Sequence, residues 1–212
     1  VNSVALDENG KYTDSVSSIA YAPEIDMGRM VGAYAAEHLP ENAKVVVMMS
    51  TAGLFSSEQR RIGYQEALFD ARPDIEILEE QNIEAWNKDI AVQTMEDWLQ
   101  KYDDIDAVIS MNDGMVLGAI EACKGAGRDI SQMQFYGIDG LADGCLSIQE
   151  GEECASVLQD AAEMGYGAVD IAVGIARGEI TTQQYFEIEP TLITPDNVEE
   201  FIEMHKETGV IS

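Results

Sequence analysis

The stretch IDAVISMNDGMVLGAIEA, residues 105–122, decides the fold class. Its apolar run Ala107–Ser110 predicts a short buried strand, and a polar corner follows at Asn112 and Asp113. Apolar residues then recur at helical spacing through the rest of the stretch. A strand that turns at once into a helix is typical of a doubly wound α/β sheet, in which ligands bind beyond the carboxyl ends of the strands. Asn112 is therefore predicted at a ligand-binding edge, and the Asp113 carboxylate is predicted to cap the free amides of the helix.

The same alternation continues in both directions along the chain. Buried strands are predicted at 44–49, 74–78, 107–110, 134–138 and 155–158. Helices are predicted at 24–39, 56–70, 88–101, 113–125, 141–149, 161–177 and 198–206. Strands that alternate with helices predict a mostly parallel, doubly wound sheet covered on both faces, which is a three-layer α/β/α fold.

Composition narrows the classes of partner. The 212 residues are 46% hydrophobic, which is enough for a packed core, and 40 acids against 12 bases give a formal net charge of −28. Such a surface repels nucleic acid and anionic membranes. No apolar run is long enough to cross a bilayer. Three cysteines form no metal-binding spacing; Cys123 is predicted to be a buried thiol, and a disulfide between Cys145 and Cys154 is left open.

Motifs for catalysis, cofactors and metals are absent from the sequence. There is no G-x-S-x-G elbow and no phosphate-binding loop, and the paired glycines lack the third glycine of a dinucleotide fingerprint. His38 and His205 stand at predicted helix ends and are expected to be solvated. The acidic run 103–106 precedes a strand and is predicted to be an exposed turn. The sequence therefore predicts a protein that is not an enzyme and that holds no cofactor or metal.

Polar and aromatic residues collect at the carboxyl ends of the predicted strands. They are Arg60, Trp86, Asn112, Asp139 and Gln159. Guanidinium, amide and carboxylate groups supply paired donors and acceptors for neighbouring hydroxyls, and the Trp ring offers a flat apolar face to a sugar ring. Together they are typical of a sugar-binding site. Each one alone could equally be a cap or a turn residue, and for Asn112 the cap and ligand roles both stay open.

A family resemblance rests on several short motifs in a fixed order. They are Arg60-x-x-Gly63-Tyr64, Asn112-Asp113-x-Met115-x-Leu117-Gly118-Ala119, Tyr136-Gly137-Ile138-Asp139-Gly140, Gln159 before Met164-Gly165, and Thr191-Leu192-Ile193-Thr194 before Asn197-Val198. The chain resembles the carboxyl-terminal portion of a type I periplasmic solute-binding protein of sugar ABC transporters, of the ribose-binding and galactose-binding kind.

The resemblance implies a role for each candidate site residue. Arg60 would grip ring or hydroxyl oxygens of a sugar, and Trp86 would stack on it. Asn112 and Asp139 would bond hydroxyls, and Gln159 would do so where the chain crosses between two lobes. Asn2 falls where ribose-binding relatives carry an acidic residue, a departure that leaves the specific sugar open.

The resemblance also implies a division into two lobes joined by three crossings. Residues 22–159 would form a complete carboxyl-terminal lobe, 1–21 and 160–190 remnants of an amino-terminal lobe, and 191–212 a return strand and terminal helix. The chain is then expected to be a fragment or a truncated relative. The apolar face of the 161–177 helix, made by Met164, Ala168, Ile171 and Ile175, is expected to pack on another copy of the chain or on the existing lobe in a position that the family does not use.

The function implied is a binding protein rather than an enzyme. It would hold a small sugar or polyol in a cleft outside the cytoplasm, in the periplasm or as a lipoprotein on the cell membrane, and deliver it to the membrane permease of an ABC transporter. The effector-sensing domain of a LacI-type repressor, or of a chemoreceptor or sensor, shares this fold and is the alternative. The net charge of −28 opposes a repressor. An enzyme on the same sheet would need a nucleophile–base pair or a nucleotide loop, and the sequence contains neither.

Overall fold

The computed structural model describes residues 18–211, and these residues form two compact units. The smaller unit contains residues 18–23 and 159–190. The larger unit contains residues 24–158 and 191–211. The chain therefore passes between the units three times, after Pro23, Leu158 and Pro190.

The larger unit is built on a parallel four-stranded sheet. Its strands are β2 (Lys44–Met49), β3 (Glu76–Asn82), β4 (Ala107–Ser110) and β5 (Gln134–Tyr136), in the order β3-β2-β4-β5. Helices α2 (Phe55–Tyr64), α3 (Lys88–Lys101) and α4 (Asp113–Gly125) connect these strands, α1 (Glu24–His38) precedes β2, and α5 (Ala142–Gln149) follows β5. β4 is buried along its whole length and β2 is buried except at its first residue, as expected for central parallel strands. The α/β fold class and the mostly parallel sheet predicted from the sequence are confirmed.

The strand predicted at 74–78 lies instead at Glu76–Asn82. β3 pairs with β2 from Lys44↔Glu76 to Met49↔Asn82, with a register shift between Val45 and Val46. The polar carboxyl half of β3 therefore pairs with β2, although this half lacks the apolar pattern of a buried strand. β3 is an edge strand whose residues are mostly exposed, so hydrogen bonding to β2, rather than burial, sets its limits.

The other edge of the sheet is extended by β6 (Ser156–Leu158). Single parallel bridges, Tyr136↔Ala155 and Asp139↔Leu158, join it to β5 and to the residues that follow β5. β6 also pairs in the antiparallel sense with β8 (Thr191–Ile193), which leads into α7 (Val198–Glu207). α5, β8 and α7 share one apolar cluster, made by Cys145, Ile148, Ile193, Val198, Phe201 and Ile202.

Two glycines let α1 and α2 cross in close contact. A Cβ on Gly28 would lie 2.2 Å from the carbonyl oxygen of Arg60, and one on Gly63 would lie 2.2 Å from the carbonyl oxygen of Ile25. Both distances are far shorter than any real carbon–oxygen contact, so glycine is required on each side. The close crossing sets the first turn of α1, with Glu24, against Arg60 of α2.

The smaller unit pairs β1 (Ser18–Tyr21) with β7 (Gln184–Glu187) in parallel and packs α6 (Ala161–Ala176) against them. The apolar face of α6 that was expected to need another packing partner is not the exposed one. Met164 is buried, and a Cβ on Gly167 would collide with the ring of Phe186. The large apolar side chains that α6 does expose are Tyr166, Val169 and Val173.

The cysteine and histidine expectations have mixed outcomes. Cys123 is a buried thiol as predicted, and Cys145 and Cys154, the open question, are free thiols in the structure. His38 is exposed; its ring stacks on Tyr34, and its Nδ1 lies 2.7 Å from the Tyr34 carbonyl. His205 is half-buried, and its Nε2 lies 2.9 Å from the Gly140 carbonyl, so the expectation that it is solvated is wrong. No helix within residues 18–211 has the length and apolarity that a membrane span requires.

Candidate ligand-binding site

Four of the predicted site residues meet at the carboxyl ends of the parallel strands of the larger unit. Trp86 follows β3, Asn112 follows β4, and Asp139 follows β5. Arg60 reaches the same edge from the second turn of α2. Because all four strands run in the same direction, the residues after them are gathered without any long loop.

Arg60 is the centre of this group. Its side chain is 3% exposed, and its Nε donates to Glu24 Oε2 at 2.6 Å. Its Nη1 donates to Asp139 Oδ1 at 2.8 Å and to the Met111 carbonyl at 2.6 Å. A guanidinium bonded by three acceptors from three different elements has a fixed orientation. Arg60 can therefore present its remaining N–H groups in a defined direction.

Trp86 covers the guanidinium. The Cζ atom of Arg60 lies 5.4 Å from the centroid of the Trp86 ring, within the range of a cation–π contact. Trp86 and Ala85 both have φ in the left-handed region, at 57° and 54°, and the Ala85 amide donates to Thr51 Oγ1 at 2.9 Å. Strained backbone of this kind costs free energy and is commonly found at functional sites. Asp139, with φ of 122°, is a third non-glycine residue with positive φ at this edge.

Asn112 acts as the helix cap, and Asp113 does not. Asn112 has extended backbone, and its Oδ1 accepts from the Met115 amide at 3.0 Å. The Asp113 carboxylate, predicted to accept from the first-turn amides, is turned away from the helix. It accepts from the Leu141 amide at 2.8 Å and from Ser156 Oγ at 2.6 Å. The residue one position earlier is the N-cap because it, not Asp113, leaves helical geometry.

Hydrogen bonds hold the segment that carries Asp139 at each of its residues. The Asp139 amide donates to the Val157 carbonyl at 2.9 Å, and the Gly140 amide donates to Ser156 Oγ at 3.1 Å. The Gly140 carbonyl accepts from His205 Nε2 at 2.9 Å, and the Leu141 amide donates to Asp113. We call residues 139–141 the ligand loop. Its strained conformation is stabilised by these contacts.

The electrostatics of the site follow from burial and from pairing. Burial lowers the pKa of Arg60, but Asp139 and Glu24 outweigh it, so the pKa lies above its ordinary value and the guanidinium stays charged. Burial raises the pKa of Asp139 above its ordinary value, although Arg60 and the Asn112 amide oppose the shift. Burial also raises the pKa of Asp113 to about 6.

Two further residues were predicted for the site. Gln159 is half-buried, follows β6 in the sequence and belongs to the smaller unit. Asn2 lies outside the described residues. Within residues 18–211 no three His, Cys, Asp or Glu side chains are placed to hold a metal ion.

Sequence reasoning did not identify Glu24 or Glu153 as part of this edge. Glu24 lies on the same buried face of α1 as Met27 and Val31, at positions i, i+3 and i+7. An acid on the buried face of a helix indicates that it has a polar partner inside the protein. Glu153 is 1% exposed but follows two other acids in a polar turn, so the sequence carries no signal for its burial.

Comparisons with known proteins identify relatives of this chain. A family model described as a periplasmic binding protein domain matches residues 4–180. A protein provisionally named a rhizopine-binding protein of Rhizobium meliloti is 32% identical over 179 residues, which are 84% of this chain and 57% of the relative. The ribose import binding protein of Salmonella typhimurium is 29% identical over 182 residues, 86% of this chain and 60% of the relative.

A solved structure extends the comparison. An ABC transporter solute-binding protein from Bacillus halodurans with bound myo-inositol superposes with a TM-score of 0.82 at 27% identity, covering 90% of this chain and 64% of that one. The chain thus spans about three fifths of the length of the relatives it matches.

Proposed function

The chain belongs to the periplasmic binding protein domain family, and from that premise we propose that it takes part in binding a small sugar or polyol for import. Arg60, Trp86, Asn112 and Asp139 supply one wall of the binding site. Gln159 and Asn2 contribute to it from the other segments of the chain. The role is that of a binding protein and includes no chemical step.

The observation that carries this proposal is the ion pair of Arg60 and Asp139 under the ring of Trp86. A fixed guanidinium and a fixed carboxylate, side by side, offer a donor and an acceptor to two neighbouring hydroxyls. Preorganisation matters because a hydroxylated ligand must exchange its bonds to water for equally good bonds to protein. The strained backbone at Trp86 and Asp139 supports the same assignment.

Partners and location follow from the family at the level of a proposal. The relatives named above are binding proteins, one of them for ribose import, and the solved neighbour belongs to an ABC transporter. We place this protein outside the cytoplasm, where it delivers its ligand to a membrane permease. The 22–159 segment supplies the carboxyl-terminal lobe, the 1–21 and 160–190 segments belong to an amino-terminal lobe, and residues 191–212 return to the first.

We also propose that this chain self-associates through α6, but through a different face of the helix from the one predicted from the sequence. The exposed side chains Tyr166, Val169 and Val173 make the contact, rather than the face predicted from the sequence. A LacI-type repressor is not preferred, because a net charge of −28 opposes DNA binding and the relatives named above are binding proteins.

Ligand titration tests the proposal. Trp86 fluorescence and calorimetry are measured on the full chain with D-ribose, myo-inositol and a panel of other pentoses, hexoses and polyols. For a sugar that binds, Asp139→Ala should weaken affinity by about tenfold to a hundredfold, the equivalent of one charge-assisted bond. Asp143→Ala is the matched control, since Asp143 is exposed in the first turn of α5. Equal affinities of the two variants would reject the site, and no binding to any of the panel would reject the ligand class.

A further inference from the structure

A second pair of acids lies buried behind the ligand loop. Asp113, the first residue of α4, is fully buried, and Glu153, in the turn before β6, is 1% exposed. Both face Gly137: a Cβ there would lie 2.3 Å from Asp113 Oδ1 and 2.5 Å from Glu153 Oε1. The glycine therefore makes room for two carboxyl groups that point at the same place in the core.

No cation compensates this pair within the described part of the chain. Neither carboxyl forms an ion pair, and neither oxygen of Glu153 accepts from an N–H or O–H donor there. The titratable groups that act on the pair are Asp139 after β5, Tyr64 on α2, Cys145 on α5 and Cys154 before β6. Each of these is an acid, neutral when protonated and negative when ionised, so none can supply a positive charge. His205 reaches the other side of the loop but bonds the Gly140 carbonyl.

Two such carboxyl groups cannot both be ionised in a dry interior. When Glu153 keeps its proton, its O–H donates to the Asp113 carboxylate, which already accepts from Ser156 Oγ and from the Leu141 amide. Burial and the neighbouring Asp113 charge raise the pKa of Glu153 well above its ordinary value. The retained proton is what allows Asp113 to remain an acceptor for three donors.

The pair is connected to the ligand loop by two of that loop's amides. Leu141 donates to Asp113 Oδ2, and Gly140 donates to Ser156 Oγ, which in turn donates to Asp113 Oδ1. Between them these bonds fix the residues that follow Asp139, whose φ of 122° is unfavourable for any side chain. Loss of either acceptor would release the backbone that holds Asp139 against Arg60.

We propose that Asp113 and Glu153 share one proton and act as positioning residues that hold the ligand loop, and with it Asp139, in its binding conformation. The role of the loop in binding rests on the proposed function; the shared proton and the fixed loop do not. When alkaline pH removes the shared proton, two adjacent buried charges repel, the loop loosens, and Asp139 loses its fixed place.

Carbon-13 NMR of the side-chain carboxyls, on the full chain without added sugar, tests the first half. The Glu153 carboxyl should report a protonated acid at neutral pH. A Glu153 resonance of an ionised carboxylate at neutral pH would overturn the proposal, whatever the protein binds.

Amide hydrogen exchange tests the second half. Protection factors of the Gly140 and Leu141 amides should fall by about tenfold or more in Glu153→Ala, or in wild type once alkaline pH ionises Glu153. Glu153→Gln should retain protection at the alkaline pH that loosens the loop in wild type, since its amide donates to Asp113 without titrating. Glu150→Gln, at the exposed end of α5, is the control and should follow wild type. The positioning role would be overturned if the wild-type protection factors do not change with pH. It would also be overturned if Glu153→Gln has protection factors as low as those of Glu153→Ala. The wild-type result decides even if Glu153→Ala fails to fold.

A sugar measurement separates this proposal from the proposed function. If D-ribose or myo-inositol binds, its affinity should fall about tenfold at the pH at which the loop loosens in wild type, and should stay constant in Glu153→Gln. If no sugar or polyol of the panel binds at any pH, the proposed ligand class fails, and the NMR and exchange results still decide whether the pair shares a proton and holds the loop. If one binds with the same alkaline profile in both proteins, the link from the acid pair to Asp139 is wrong.

Discussion

The larger unit buries two groups of acids at the same edge of its sheet, and they are stabilised in opposite ways. Around Arg60, two carboxylates from α1 and from the ligand loop share one guanidinium at 2.6 and 2.8 Å. Around Gly137, two carboxyl groups face each other with no cation among the described residues. One group is held by charge pairing and the other by a proton. Asp139 and Leu141, at the two ends of the ligand loop, connect to one group each.

The difference shows what a buried acid needs. A carboxylate that leaves water loses many kcal/mol of hydration, which either a cation at hydrogen-bond distance or protonation can offset. Pairing works at any pH at which the acid is ionised, whereas protonation works only below the pKa of the pair. The Arg60 group should therefore be sensitive to loss of its cation, and the Glu153 group to pH.

Removing the cation gives the largest expected effect. Arg60→Met keeps the volume of the aliphatic stem but removes the cation that pairs with Glu24, which is buried, and with Asp139, whose side chain is 21% exposed. Breaking a buried ion pair in this way typically costs about 3–5 kcal/mol. We expect a loss of that size in the free energy of unfolding, measured by urea denaturation with the fluorescence of buried Trp98 as the signal.

The adjacent arginine provides the control for this comparison. Arg61 pairs with Glu80 at 2.7 Å, but the Glu80 side chain is 38% exposed, so the pair is largely hydrated. Arg61→Met should cost less than about 1 kcal/mol, as surface pairs do. Similar losses in the two variants would mean that Glu24 and Asp139 are not effectively buried in solution.

Removing the proton of the second group gives a pH-dependent effect. Because the pKa of Glu153 is raised in the fold, the folded chain keeps a proton that the unfolded chain loses above its ordinary pKa of about 4.3. Rising pH therefore lowers the free energy of unfolding by about 1.4 kcal/mol per unit, up to the folded pKa. Gln has no proton to lose, so Glu153→Gln should gain on wild type by that amount per unit.

Denaturation curves at a series of pH values check this. Burial raises the pKa of Asp113 to about 6. The two proteins are therefore best compared above about pH 6, where Asp113 is ionised in both. Glu150→Gln, the exposed control, should run parallel to wild type. A constant difference between Glu153→Gln and wild type across the series would show that Glu153 is ionised in the fold.

The sequence was sufficient for Arg60 and Asp139 of the first group, but it did not identify Glu24 in that group or Glu153 in the second. Arg60, Asn112 and Asp139 could be placed together because each follows an apolar strand or lies in a recognisable motif, and parallel strands bring their carboxyl ends to one edge. Glu153 lies in a run of acids that reads as a solvated turn. Its burial comes from the tertiary arrangement of α4, α5 and β6 around Gly137, which no local pattern encodes.

The ends of β3 and the N-cap of α4 are two further features that tertiary contacts, rather than the local sequence, determine. Continuous apolar runs located the buried strands β2 and β4 closely. The limits of β3 are set by pairing with its neighbour, so it lies several residues further toward the carboxyl end than predicted. At Asn112-Asp113 either residue could cap a helix. Tertiary bonds from Leu141 and Ser156 draw the Asp113 carboxylate away and leave the cap to Asn112.

A smaller effect is expected from the helix crossing that brings Glu24 to Arg60. In Gly63→Ala the new methyl group meets the Ile25 carbonyl and must push α1 away, at a typical cost of about 1–3 kcal/mol for overpacking. Gly125→Ala, at the exposed end of α4 with open space around it, should be neutral or stabilising by up to about 1 kcal/mol. Thermal unfolding of both variants measures the difference, and a neutral Gly63→Ala would mean that the helices do not approach this closely.

The smallest expected effect resolves the two roles of Asn112. Its Oδ1 caps α4, and its side chain also acts on the Asp139 carboxyl, whose pKa it lowers. Asn112→Ala loses both and should cost about 0.5–2 kcal/mol of stability, the usual loss of an N-cap. Asn112→Ser keeps an oxygen that can cap but has no amide to reach Asp139, so its stability should lie within about 0.5 kcal/mol of wild type. Calorimetric melting distinguishes the Ala variant from the Ser variant.

If a sugar binds, the Ser variant should nevertheless bind it more weakly than wild type does, because Asp139 loses a donor that orients it. Wild-type affinity in the Ser variant would make Asn112 a cap alone, and an equal stability loss in both variants would make the bond to Asp139, rather than the cap, its main contribution to the fold.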